Sequence, residues 1–132
     1  MELEKQILGL AHVGIPTNDI KKTIEFYTGL GFRVILRTRN EEAGEEVAFL
    51  QIGNYGIESF ENRAAAMADG AYQHVALEVT EIEALYLHMK ESGYTLLTPG
   101  IRFLPFWEHG VKFFMVQGPN MERIEFCQKL EA

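Results

Sequence analysis

The sequence predicts an α+β fold made of two copies of one strand–helix–strand–strand–strand (βαβββ) module. Three observations predict it. Residues 12–32 (HVGIPTNDIKKTIEFYTGLGF) align without a gap on residues 74–94 (HVALEVTEIEALYLHMKESGY), 62 positions later, with His, Val, Ile and Gly identical. The order of turn, cap and periodicity signals repeats along with the residues, as expected of a duplicated structural unit. Of the 132 residues, 47% are hydrophobic and 23% charged, enough apolar surface to offset the ordering entropy of a packed chain.

The first module opens on an apolar strand over residues 7–15. Thr17, Asn18 and Asp19 then offer short polar side chains to the free N–H groups of a helix start. Ile20, Ile24, Tyr27 and Leu30 fall on one helical face, and Gly31 ends the helix where a left-handed residue is wanted. Strands are expected over 33–37, 47–52 and 56–60, with the polar stretch 38–46 as a loop or hairpin and Asn54-Tyr55-Gly56 as a tight turn. The Ala-rich residues 62–70 read as a linker or short helix. In the second module a strand covers 74–79, and Thr80 and Glu83 form a capping box. Ile82, Leu85, Tyr86 and Met89 share a helical face that Gly93 closes. Strands follow over 95–98, 111–116 and 123–128, and Gly118-Pro119-Asn120 turns between the last two. Residues 102–110 (RFLPFWEHG) make an aromatic loop, a candidate lid. The modules thus run over about 5–62 and 70–129 of a single domain spanning 1–132.

Charge and cysteine content exclude several functions. Twelve basic against 19 acidic residues give a net charge of −7, and no run of Lys or Arg interrupts it. Nucleic-acid phosphates and anionic membrane surfaces are repelled on average, so neither is an expected partner. The single cysteine, Cys127, excludes an intrachain disulfide and a Cys-based zinc site, and fits a reducing cytoplasm. No signal peptide and no run of 18 apolar residues is seen.

Each module begins with a histidine in its first strand, His12 and His74, and carries a glutamate in its last, Glu58 and Glu125. The glutamates lie 67 residues apart, which matches the histidine spacing of 62 after a short insertion in the second module. Both glutamates follow an isoleucine late in a strand, where an unpartnered buried carboxylate is costly. Two imidazoles and two carboxylates suit one borderline divalent ion, such as Ni, Zn, Co, Mn or Fe, and leave open positions for water or substrate. No Ser/His/Asp arrangement or phosphate loop is present, and Gly29–Phe32 (GLGF) lacks dinucleotide-motif spacing.

The segments LAHVGIPTNDIKKTIEFYTGLGF, VAFLQIGNYGIESFE, QHVALEVTEI and GPNMERIEFCQ, spread over residues 8–128, resemble the vicinal oxygen chelate superfamily. That superfamily includes glyoxalase I, methylmalonyl-CoA epimerase, extradiol dioxygenases and bleomycin- and fosfomycin-resistance proteins. The resemblance implies that the two modules form a cup-shaped mixed sheet around a metal site. The His, Glu, His, Glu order of His12, Glu58, His74 and Glu125 is similar to glyoxalase I (lactoylglutathione lyase), and GPNMERIEF is similar to that family's DPDG-x-x-IE ending. VAFLQIGN and His109-Gly110-Val111-Lys112 resemble the epimerase. Glyoxalase I typically places an Arg shortly after the first His to grip glutathione, where this chain has Pro16, whereas Asn62 matches a glutathione-contacting Asn.

On this resemblance the chain is expected to be a cytoplasmic, homodimeric, metal-dependent lyase/isomerase. It would act on a 2-oxoaldehyde thiol adduct through an enediolate, with Glu125 as the first candidate base and Glu58 serving the opposite face. Candidate substrate contacts are Asn62, Arg102, Phe106, Trp107, His109 and Lys112, with Arg63 and Arg123 as further candidates for an anion. The alternatives are an epimerase acting on an acyl thioester, and a metal-free binding protein whose pocket Tyr55, Phe60, Phe103, Phe106 and Trp107 would line.

Overall fold

A computed structural model describes residues 2–132. The chain divides after Ala65 into two compact units.

The first unit contains a short helix α1 (Leu3–Gln6), β1 (Val13–Pro16), α2 (Ile20–Gly29), β2 (Arg33–Asn40), β3 (Glu45–Ile52) and β4 (Tyr55–Phe60). Its sheet runs in the order β1-β4-β3-β2, with β1 parallel to β4 and the other pairs antiparallel. Alternate residues of β3 and β4, namely Ala48, Leu50, Ile57 and Ser59, are buried. The helix α2 adds buried Ile20, Thr23 and Tyr27. Tyr27 meets Phe32 edge-on with ring centroids 5.1 Å apart, and Phe32 meets Tyr55 at 5.8 Å. This face, the helix face, is the core of the unit. Val13 and Ile15 lie across from buried Ile57 and Ser59 on the helix face, and the opposite face carries Glu58, Phe49 and Gly14 in one row across the strands.

The second unit contains β5 (His74–Glu78), α3 (Ile82–Glu91), β6 (Thr95–Leu96), β7 (Arg102–Leu104), β8 (Val111–Gln117) and β9 (Arg123–Lys129). The order is β5-β9-β8-β6, with β5 parallel to β9 and β7 added antiparallel to β8. Phe114, Val116, Ile124 and Phe126 are buried with Ile82 and Met89 of α3. Phe114 contacts Tyr86 and Phe126 with centroids 5.2 Å away in each case.

Both helices are capped from the end of the last strand of their own unit. Glu61 Oε2 accepts from Ile20 N at 2.7 Å, and Gln128 Oε1 accepts from Ile82 N at 2.9 Å. Ile20 and Ile82 are 62 residues apart, Glu61 and Gln128 are 67 apart, so the cap obeys the spacings of the histidines and glutamates. Asp19 caps α2 as expected, accepting from Lys22 N at 3.2 Å.

Three expectations are corrected. Residues 7–12 are not strand, because β1 is paired with β4 alone. Val13 lies opposite Ile57, and continuing that register back puts Leu10 opposite the turn residue Asn54, where no ladder partner exists. No capping box forms at α3: Glu81 takes a left-handed conformation (φ 53°), no side chain of the cap bonds the helix start, and Glu83 pairs with Lys112 instead. The aromatic loop begins as strand, since Arg102–Leu104 pair with β8.

Candidate metal centre

Register places each histidine beside its glutamate in the same way. In the first unit Gly14 lies directly across from Glu58, and His12 is two residues before Gly14. In the second, Ala76 lies across from Glu125, and His74 is two residues before Ala76. Residues two apart on a strand share a face, and His12, one residue before β1, keeps that alternation, so both pairs are diagonal neighbours on a face opposite the helix. The position directly opposite each carboxylate is Gly or Ala, which leaves the space above the glutamate open for the imidazole.

His12 Nε2 stands 3.5 Å from Glu58 Oε1, and His74 Nε2 stands 3.8 Å from Glu125 Oε1. These separations are too long for good N–H···O bonds. They exceed by less than 1 Å the spacing of about 3 Å expected between neighbouring ligands bound about 2.1 Å from one ion. His74 Nδ1 is 2.9 Å from Gln73 Oε1, an oxygen that can only accept, so Nδ1 donates there and Nε2 is the ring nitrogen turned towards Glu125. The His12 ring meets the edge of Phe49, with centroids 5.5 Å apart, and Phe49 lies across from Glu58. Glu58 and Glu125 take no hydrogen bond from any described residue. Within either unit no third His, Cys, Asp or Glu joins the pair among the described residues. Each unit therefore offers one imidazole nitrogen and one carboxylate side by side, a donor set that fits a borderline divalent cation.

Gly56 is the position where the backbone approach is tight. It lies beside His12 in the extended β1–β4 register, and a Cβ there would stand 3.2 Å from Ala11 O and 3.7 Å from His12 Cβ. The matching position in the second unit, across from His74, is Arg123, whose Nε donates to Asp69 Oδ1 at 2.8 Å.

The family follows from a direct match. Residues 9–126 match the Glyoxalase/Bleomycin resistance protein/Dioxygenase superfamily. The chain belongs to this superfamily. It is 30% identical over 123 residues to the uncharacterized protein YwbC of Bacillus subtilis (strain 168), covering 89% of this chain and 95% of that one. Its fold is that of a glyoxalase family protein from Enterococcus faecalis, with a TM-score of 0.76, 23% identity, and coverage of 92% of this chain and 98% of the other. A trypanothione-dependent glyoxalase I of Leishmania major aligns with a TM-score of 0.70 at 22% identity, over 91% of this chain and 86% of that one. Superfamily members act on small-molecule substrates and often form dimers, and the glyoxalase I-like members usually bind a divalent metal.

The other candidate residues are dispersed. Arg102 lies across from Phe113, which lies across from Cys127, so it shares the face of Glu125 but stands two strands away. Lys112 is across from Gln128, on the helix face, where Glu83 Oε1 accepts from its Nζ at 2.6 Å and holds the Glu83 carboxyl below the usual range. That face is turned away from Glu125. Asn62 Oδ1 accepts from Ala64 N at 2.9 Å, closing a turn after β4, and Arg63 is exposed. Phe106, Trp107 and His109 are on the exposed loop after β7; Lys129 Nζ sits 4.1 Å from the Trp107 ring centroid, and His109 faces Glu108. Burial, then the Glu125 and Glu78 carboxylates, push the Cys127 thiol up, which fits a packing residue and not a nucleophile. Sequence reasoning missed Gln73 and Asp69, which contact His74 and Arg123. It also missed the Glu61 and Gln128 caps, although their 67-residue spacing repeats that of Glu58 and Glu125.

Among the described residues, no helix is long and apolar enough to cross a membrane.

Proposed function

We propose that the chain is a metal-dependent lyase/isomerase of the glyoxalase I type, working as a homodimer. One divalent ion would be held by His12, Glu58, His74 and Glu125, one His–Glu pair from each unit. The observation that carries this reading is the identical register of the two pairs, His two residues ahead of the small residue opposite Glu, at independent places in a duplicated chain. When bound, the ion supplies Lewis acidity to a substrate with two neighbouring oxygens and so acidifies its C–H bond.

The chain's own residues do the rest. Glu125 takes the proton from the hemithioacetal carbon of a 2-oxoaldehyde thiol adduct and returns it to the adjacent carbon, which gives the thioester of a 2-hydroxy acid. The overall change is an isomerisation, with no external oxidant. Glu58 offers an equivalent carboxylate from the other unit. His74, oriented by Gln73, and His12, edged by Phe49, hold their Nε2 atoms towards those carboxylates. The Trp107 loop, fastened by Lys129, supplies apolar cover.

The test is metal analysis of protein purified without chelator, joined to assays with methylglyoxal plus several thiols and with methylmalonyl-CoA. We expect stoichiometric metal and turnover, with Glu125→Gln lowering kcat by about 10²- to 10⁴-fold at unchanged circular dichroism. Full activity in Glu125→Gln, or a metal-free protein without turnover, overturns the reading. The second reading is an epimerase of a 2-methylmalonyl thioester. Arg123, beside His74, favours it because that substrate carries a carboxylate next to its reacting carbon.

A further inference from the structure

The two His–Glu pairs share a register but not a neighbour. In the first unit the residue across from His12 is Gly56, which presents no side chain. In the second unit the residue across from His74 is Arg123, two positions before Glu125 on β9. His74, Arg123 and Glu125 therefore lie on one face, with Arg123 Cα about 5 Å from His74 Cα and about 7 Å from Glu125 Cα by ordinary sheet spacing.

The Arg123 guanidinium is oriented and only partly used. Its Nε donates to Asp69 Oδ1 at 2.8 Å, and among the described residues Asp69 is its one partner. An Asp on Nε leaves the two terminal Nη groups as an open fork, the edge that binds a carboxylate through two parallel N–H···O bonds. The other cations of this unit are otherwise engaged or farther off. Lys129 faces Glu78 at 3.5 Å and covers Trp107, Lys112 is paired with Glu83 on the helix face, and Arg102 stands two strands from β9.

We infer that Arg123, positioned by Asp69, grips a carboxylate of the substrate beside the His74–Glu125 pair, so that the substrate is an acid and always enters with its charged end over the second unit. The inference rests on the metal-centre reading above and deepens it by naming the substrate's charge and direction. The carboxylate belongs either to the reacting skeleton, as in a malonyl-type acyl group, or to the carrier of a thiol adduct. The short span from Arg123 to the pair favours the reacting skeleton.

The test uses the full chain loaded with zinc. It is titrated by calorimetry with malonate, with neutral malonamide and with S-methylglutathione, while the Arg123 Nε–Hε resonance is followed by NMR. Malonate is expected to bind and to shift that resonance. Arg123→Met should weaken malonate by roughly 10- to 100-fold, with Arg123→Lys in between, because a point charge replaces a planar fork. Asp69→Asn should cost a smaller factor, malonamide should ignore all three substitutions, and zinc affinity should stay within about threefold of the original. An Arg123-dependent response to S-methylglutathione and not to malonate upholds the contact and assigns the carboxylate to the thiol carrier. Equal malonate and S-methylglutathione binding by the original chain and Arg123→Met, with zinc retained, overturns the inference. If the chain takes up no zinc, the metal-centre reading fails separately. The zinc-free titration then decides Arg123: a malonate shift absent with malonamide upholds the contact, and no shift overturns it.

Discussion

Replacing Glu61 tests whether the duplicated cap is a real energetic feature. Glu61 Oε2 accepts from Ile20 N at 2.7 Å, with the Glu61 side chain 19% exposed and Ile20 2% exposed. Glu61→Ala leaves a helix N-terminal N–H without its charged acceptor, in a place where water has limited access. A hydrogen bond to a charged group contributes about 1.5–3 kcal/mol, so a loss of about 2 kcal/mol is expected. Glu61→Gln retains a carbonyl oxygen, which is what Gln128 offers Ile82 at 2.9 Å in the second unit. It loses only the charge–dipole part, about 0.3–1 kcal/mol. For a chain of this length each kcal/mol moves Tm by about 3–5 °C, so the Ala variant should melt about 6–10 °C lower and the Gln variant less than about 5 °C lower. Thermal and urea unfolding followed by circular dichroism measure both. Equal losses for Ala and Gln, or an Ala loss below about 0.5 kcal/mol, would show that the cap is replaceable by water and that its repetition has no energetic meaning.

Two further outcomes are expected. Gly56→Ala puts a methyl 3.2 Å from Ala11 O, so the Ala11 carbonyl, and the His12 backbone joined to it, must give by a few tenths of an ångström. Zinc affinity should then fall by about tenfold with the fold kept, and an unchanged affinity in a chelator-competition titration would show that Gly56 does not make room for a ligand. The Glu83 carboxyl is held below its usual range first by its bond from Lys112 and then by its own backbone, so the pairing stabilises the fold above the ordinary carboxylate range and is lost as pH falls through the depressed value. Urea unfolding of the original chain and Lys112→Met should therefore converge between about pH 5 and about pH 3, and a gap that widens on acidification would contradict the sign of this linkage.

The helices were legible because their apolar positions recur with the helical period and both end at glycine. Ile20 and Tyr27 in α2, and Ile82 and Met89 in α3, are buried where that period puts them. Strands were legible where one face is buried: β4 alternates through buried Ile57 and Ser59, and β9 through Ile124 and Phe126. They were misread where pairing, not composition, decides. Residues 7–10 are as apolar as β1 but lie beyond the end of β4, the strand β1 pairs with, and Leu8 is 97% exposed. Arg102–Leu104 are all exposed, with no alternation to betray a strand, yet β8 supplies the ladder. At α3 the capping-box residues are present, but Gln128 reaches the first helical N–H from another strand and Lys112 draws Glu83 away.

The same division separates what a repeat can say about a site from what only register can. Spacing marked His12, His74, Glu58 and Glu125, because a duplication carries its side chains along with its strands. It could not separate Lys112 from Arg123, two cations close to the same apolar core. Strand parity separates them: Lys112 shares a face with Gln128 and α3, and Arg123 shares one with Glu125 and His74. It also exposes the difference that the repeat hides, since the place held by Arg123 in one unit is held by Gly56 in the other. On the proposed reading, a substrate with two unlike ends needs something that distinguishes one His–Glu pair from the other. Arg123, at the position that Gly56 holds in the other unit, supplies such a distinction.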